Sequence, residues 1–148
     1  MGDATVVRLL VFRVGSLVCA AQAEAVREIL PWLPTIRIPG ASALVAGLVN
    51  VRGSLVTVVE GWRALGQPEP EDAAAGTTVL LEVGRQRRPL GLTVDEVVDL
   101  LAIPADQLEG RQALPGVDPK LVRAVGRRGA QVFVVLDTEA LLAPILTS

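Results

Sequence analysis

Short apolar runs, broken every few residues by glycine, proline or a charged pair, dominate the chain, and few of them show the three-to-four spacing of a helix. Val6–Val14 reads as a strand, Gly15-Ser16 as a turn and residues 17–20 as the returning strand. Residues 21–25 resemble one helical turn, and 26–30 form another strand closed by Pro31 and Pro34. After Pro39-Gly40, Ser42 is placed to cap a short predicted helix over 43–46 that Gly47 ends. Strands over 49–51 and 55–59 follow, then a helical turn over 62–65 ended by Gly66. Residues 67–76 are rich in Pro, Glu, Asp and Ala, which predicts a flexible loop.

Strands resume at Thr77–Val83, 90–94 and 97–103, the first two joined by a turn over Gly84-Arg85-Gln86-Arg87 and the last stopped by Pro104. Residues 105–119 read as irregular. A last hairpin pairs 122–126 with 132–136 around Arg128-Gly129, and Asp137 then caps the longest predicted helix, Thr138–Leu146, whose end Pro144 weakens. About ten short strands with little helix point to barrels or a sandwich.

Within this pattern the segment Gly47-Leu48-Val49-Asn50-Val51-Arg52-Gly53 stands out, because it sets one Asn and one Arg in an apolar run bounded by glycines. It predicts a strand, a tight polar turn and another strand, with Arg52 at the corner. The segment has an echo about half the chain later. Arg52-Gly53, an apolar strand, Glu60 and a helical turn are matched by Arg128-Gly129, an apolar strand, Asp137 and a helix. Two similar lobes would explain this, and so would chance likeness among valine-rich strands.

Composition narrows the function more than the fold. Valine is the commonest residue and aromatics make up only 3%, which favours an aliphatic β core over stacked-ring recognition surfaces. With 51% apolar and 20% charged residues in 148, one folded domain is expected. A net charge of −2 lacks the basic footprint of a nucleic-acid binder. Arg85, Arg87 and Arg88 read as a solvated hairpin tip. The single cysteine, Cys19, forms no intrachain disulfide and is expected in the core. The first residues lack an export signal and no apolar run is long enough to span a bilayer, so the cytosol is the expected compartment and no direct membrane insertion is expected.

The absence of histidine excludes Ser-His-Asp and Cys-His catalysis and His-based zinc sites, and no phosphate-binding glycine loop is present. Asp95, Glu96 and Asp99 are the densest structured carboxylates, but adjacent residues of an extended strand point to opposite faces, so Asp95 and Glu96 are not expected to share a site as an acid/base pair. No enzyme, metal or cofactor is expected. Small barrels without catalytic groups bind other proteins through strand edges and apolar grooves.

Seven pieces of the sequence, in order and spacing, resemble the CheW-like domain family: Val11-Phe12-Arg13-Val14, Val26-Arg27-Glu28-Ile29-Leu30, Pro39-Gly40-Ala41, the Gly47-to-Gly53 segment, Leu65-Gly66-Gln67-Pro68, Gly91-Leu92-Thr93-Val94-Asp95-Glu96-Val97 and Leu136-Asp137. The resemblance covers nearly the whole chain. It implies a mostly β fold of two five-stranded SH3-like barrels sharing a core, with short helical turns and a C-terminal helix. The expected division is 5–53 plus 137–148 for one subdomain and 54–136 for the other.

The resemblance also implies a stand-alone adaptor that couples methyl-accepting chemotaxis receptors to the histidine kinase CheA without catalysis. A receptor's cytoplasmic helical tip would dock in a groove between the barrels, and the barrel ends would meet the kinase regulatory domain, or other CheW-like domains, in rings. The protein would be cytoplasmic, recruited to receptor arrays. The alternative is a specialised member that binds receptors and engages the kinase weakly or not at all.

By the same resemblance Val26, Glu28, Arg52, Val97 and Leu100 fall on receptor-docking or supporting positions. Val26, Val97 and Leu100 suit a groove for an amphipathic helix and equally suit a core. Glu28 and Arg52 suit a forked charge-assisted hydrogen bond between neighbouring strands, and with Asn50 would brace the groove floor. The sequence departs from the family where Thr57-Val58-Val59-Glu60-Gly61 replaces a common Pro-Val-Val-Asp-Leu pattern and where Ala124 replaces a glycine.

Overall fold

The computed structural model describes residues 5–110, 114 and 116–146. Ten strands are formed: β1 (Val6–Val14), β2 (Leu17–Gln22), β3 (Val26–Pro31), β4 (Val45–Val51), β5 (Ser54–Glu60), β6 (Thr77–Val83), β7 (Arg88–Val94), β8 (Glu96–Pro104), β9 (Val122–Arg128) and β10 (Gln131–Leu136). Helix α1 (Gly61–Ala64) follows β5 and α2 (Thr138–Leu146) follows β10. The strands form two five-stranded sheets, ordered β8-β1-β2-β10-β9 and β3-β6-β7-β5-β4.

Each sheet curls and closes. Ile36 and Leu48 exchange backbone hydrogen bonds of 2.7 and 2.8 Å, tying the segment after β3 to β4. Glu109 and Val125 do the same at 2.8 and 2.9 Å, tying the segment after β8 to β9. Closure satisfies edge groups that would otherwise template aggregation. The result is the expected mostly β architecture of two SH3-like subdomains with a C-terminal helix.

The two sheets have one topology, permuted. β3, β4, β5, β6 and β7 occupy the places that β8, β9, β10, β1 and β2 occupy in the other sheet. In each, a parallel pair joins two antiparallel sets: β5 with β7 (Thr57 opposite Leu90) and β10 with β2 (Val134 opposite Cys19). The N-terminal hairpin therefore completes the second barrel. The sheets partition the chain differently from the expected division at residue 53: one barrel is built from β3 to β7, the other from β1 and β2 together with β8 to β10. A cut at 53 would separate β4 from β5, which pair along their length.

Three apolar clusters follow from strand alternation. Along β1, Leu9 and Val11 point into the second barrel with Ala20, Phe133 and Val135. Leu10, Phe12 and Val14 point the other way, into a core shared with Leu81, Leu90 and Leu92 of the first barrel and Leu141, Leu142 and Ile145 of α2. Val49, Val51, Val56, Val58 and Leu80 fill the first barrel. Asp137 caps α2 as expected, its Oδ1 accepting the Ala140 N–H at 3.0 Å.

One local expectation fails. Residues 43–46 are not a helix: Ser42 Oγ accepts the Leu44 N–H at 3.3 Å in a turn, and Val45 already belongs to β4. Gly47 is a point of close backbone approach, since a Cβ there would lie 2.4 Å from the Ile36 carbonyl oxygen. The loop over 67–76 carries a 3-10 turn at Ala73–Ala75, held by Asp72 Oδ1 accepting the Ala74 N–H at 3.2 Å. Part of the segment expected to be irregular, 111–113 and 115, lies outside the described residues.

Candidate protein-docking surface

The corner formed by Arg52 is a two-residue turn. Val51 pairs with Ser54, leaving Arg52 and Gly53 as the loop, and both have positive φ (49° and 89°). That geometry matches the twist of the flanking strands. Arginine seldom adopts it. Asn50 Oδ1 accepts the Gly53 N–H at 2.7 Å and so closes the turn from below.

Arg52 projects its guanidinium across to β3. Nη1 donates to Glu28 Oε2 at 2.8 Å and Nη2 donates to Glu28 Oε1, a forked pair. The Arg52 side chain is 67% exposed and that of Glu28 29%. The hydrogen bond from Arg52 is the main cause that lowers the Glu28 pKa below the ordinary carboxylate value, against partial burial, with Arg27 adding a little. Val26, two residues earlier on β3, is half-buried against the shared core.

Val97 occupies the matching place on β8, half-buried against the same core. The match is one of register. In β3 the pairing with β6 slips by one residue between Val26 and Glu28, and in β8 the pairing with β1 slips between Val97 and Asp99. Glu28 and Asp99 are therefore equivalent, each the first residue past a bulge, where a strand bends and re-aims its side chains. Ile29 and Leu100 are equivalent next neighbours, and both are exposed, Leu100 at 67%.

Asp99 has its own arginine. Arg128 Nε donates to Asp99 Oδ2 at 2.9 Å, while Asp99 Oδ1 accepts the Leu100 N–H at 2.8 Å. Those two bonds, Arg128 first, lower the Asp99 pKa. The structure thus gathers Glu28, Arg52 and Asn50 in one cluster and places Leu100 in a second, pseudo-equivalent one with Asp99 and Arg128. Ile29, Asp99 and Arg128 were not among the expected site residues. Of these three, only Arg128 carries a signal in the sequence, its echo of Arg52.

Other candidates resolve as local structure. Asp95 and Glu96 share an ion partner: Arg13 Nη1 lies 2.9 Å from Asp95 Oδ2 and its Nε 3.2 Å from Glu96 Oε1. Asp95 sits in the bend between β7 and β8, so strand alternation does not govern it. Arg87 is bound to Glu82 at 2.6 Å. Cys19 is fully buried, and burial pushes its thiol up to about 12. A cleft of about 1100 Å³ lined by Trp32, Trp62, Arg37 and Arg63 lies elsewhere, with none of Val26, Glu28, Arg52, Val97 or Leu100 in its walls.

A family model described as the CheW-like domain matches residues 8–145. The chain belongs to the CheW-like domain family. A chemotaxis protein CheW of Rhizobium meliloti (strain 1021) is 35% identical over 95 residues, which take in 64% of this chain and 60% of that protein. A probable chemotaxis protein CheW of Rhizobium etli is 28% identical over 139 residues, 91% of this chain and 86% of that protein. In structure, the scaffolding protein TtCheW of Thermoanaerobacter tengcongensis superposes with a TM-score of 0.84 over 93% of both chains, and at 17% identity this shows the shared fold. CheW-like proteins are non-catalytic scaffolds and adaptors. Among the described residues no helix is long and apolar enough to cross a membrane.

The CheW-like departures have local meanings. At Gly61 a Cβ would sit 2.0 Å from the Thr93 carbonyl oxygen, while the Gly61 N–H donates to Thr93 Oγ1 at 3.1 Å. Only glycine lets α1 start that close to β7. Thr57 lies in an interior strand between β4 and β7. Ala124 pairs with Val135 and packs on the core of the second barrel.

Proposed function

We propose that this protein is a chemotaxis adaptor that binds the cytoplasmic helical tip of methyl-accepting receptors and couples it to the regulatory domain of CheA. The observation that supports this most is the pair of bulged outer strands, β3 and β8, in a CheW-like chain. Each turns an aliphatic side chain outward beside an acid held by an arginine. Val26 and Val97 are each half-buried against the shared core and would supply the apolar floor, with Ile29 and Leu100 exposed beyond it. An amphipathic helix laid over such a surface gains apolar burial from both barrels. Kinase docking, and ring formation with other CheW-like domains, would use remaining barrel surface.

Co-sedimentation with receptor-containing membranes and CheA from the same organism tests the reading. Sedimentation with receptors, together with added CheA, is expected. Binding to neither partner would overturn it. Binding to receptors alone would select the specialised member, a reading that the substitutions at Thr57, Glu60, Gly61 and Ala124 keep in view.

A further inference from the structure

We propose that Asp99 and Arg128 are positioning residues for Leu100, and that they pin the second wall of the docking surface as Glu28 and Arg52 pin the first. The proposal rests on the docking function above and adds two residues to it. Three observations carry it.

Register makes the two acids equivalent, each directly past a one-residue bulge on the outer strand of its sheet. A bulge leaves a backbone group without its ladder partner and lets the following side chain swing. Both swings are checked by an arginine from the hairpin at the far edge of the same sheet, Arg52 between β4 and β5 and Arg128 at the end of β9.

The second pair is tied to the proposed contact residue more directly than the first. Asp99 uses one oxygen for Arg128 and the other for the backbone N–H of Leu100. The aspartate side chain is short enough to reach the next residue's N–H. Glutamate, one methylene longer, gives both oxygens to the Arg52 fork. One carboxylate thereby fixes the direction of an exposed leucine whose burial in place would otherwise require ordering at the moment of binding.

The geometry also corrects the sequence echo. Val51 opposite Ser54 corresponds to Arg128 opposite Gln131, so Arg52 corresponds to Gly129 and not to Arg128. The second arginine sits on the strand, one residue before the turn. It meets its acid through Nε, whereas Arg52 uses both terminal nitrogens. The salt bridge recurs although the arginine has moved, as expected if the pairing itself is what each wall needs.

The test uses the full chain, with the isolated helical hairpin of a chemoreceptor tip from the same organism as probe. Tip affinity, melting temperature and the hydrogen-exchange rate of the Leu100 amide are measured for wild type, Asp99→Ala, Asp99→Glu, Arg128→Ala and Arg52→Ala. Asp99→Ala is expected to weaken tip binding roughly two- to fivefold, the range of an exposed pair. It should also speed Leu100 exchange at a nearly unchanged melting temperature. Asp99→Glu, which keeps a carboxylate for Arg128 and loses the bond to the Leu100 N–H, should recover only part of the affinity while Leu100 exchange stays fast. Arg128→Ala should weaken binding as well, and it reports independently if Asp99→Ala does not fold. Wild-type affinity in Arg128→Ala beside weakened binding in Arg52→Ala would overturn the proposal and leave the docking reading intact. A wild-type chain that does not bind the tip would overturn both.

Discussion

At the scale of single residues, Arg52 is held in a backbone conformation that favours glycine, and its side chain spans to a neighbouring strand. The two facts separate by mutation. Arg52→Gly relieves the positive φ and should melt at or above Arg52→Ala, yet both should lose receptor-tip affinity, because both lose the fork to Glu28. Calorimetry beside binding isotherms checks this; a variant that melts early and binds normally would contradict it. Acid acts on the same contact. The folded pKa values of Glu28 and Asp99 are lowered, so the stabilisation from their arginines is complete above the ordinary carboxylate value near ~4 and is lost as pH falls through the lowered values. Carboxyl resonances of these two residues should titrate below the ordinary values for glutamate and aspartate. Cys19, with its thiol pushed up to about 12 and no solvent contact, should resist Ellman's reagent at pH 8 until the chain unfolds. Gly61→Ala should cost about 3 kcal/mol in urea unfolding, since the added Cβ meets a backbone oxygen that side-chain motion cannot clear.

At the scale of elements, most strands were legible because alternation and turn residues are local signals. Val6–Val14, Thr77–Val83 and Thr138–Leu146 match their predicted bounds, the last with its Asp137 cap. What local signals miss shares a cause, which is that partners distant in sequence decide the outcome. Residues 43–46 look helical until Ile36 pairs with Leu48 and draws the chain into a barrel wall. Asp95 and Glu96 look divergent until Arg13 from β1 reaches both. The Glu28–Arg52 pair was readable from chemistry once the two strands were taken as neighbours. The Asp99–Arg128 pair was not, because the echo marks Arg128 without showing that it lies on β9 one residue before the turn, or that its side chain meets β8. The least legible feature was which strands share a sheet. β1 lies between β8 and β2, and β2 between β1 and β10, so a chain beginning at Ala23 leaves one barrel without its middle and the shared core without Leu10, Phe12 and Val14. Such a chain should show no cooperative thermal transition by circular dichroism; a sharp one would contradict the interleaved topology.

At the scale of the whole molecule, two copies of one five-stranded plan are joined through a common core, and each presents a bulged strand with an arginine-held acid. The proposed docking surface takes one wall from each copy. Its floor is the margin of the shared core, which is why Val26 and Val97 serve packing and exposure together. The Trp32–Trp62 cleft, about 1100 Å³ and outside the proposed surface, provides a built-in comparison. The most direct test is amide chemical-shift mapping of the isotopically labelled chain on addition of a receptor helical tip. The account predicts saturable shifts at 26–29, Arg52, 97–100 and Arg128, with Trp32 and Trp62 unmoved. Shifts confined to the cleft, or none at saturating tip, would contradict it.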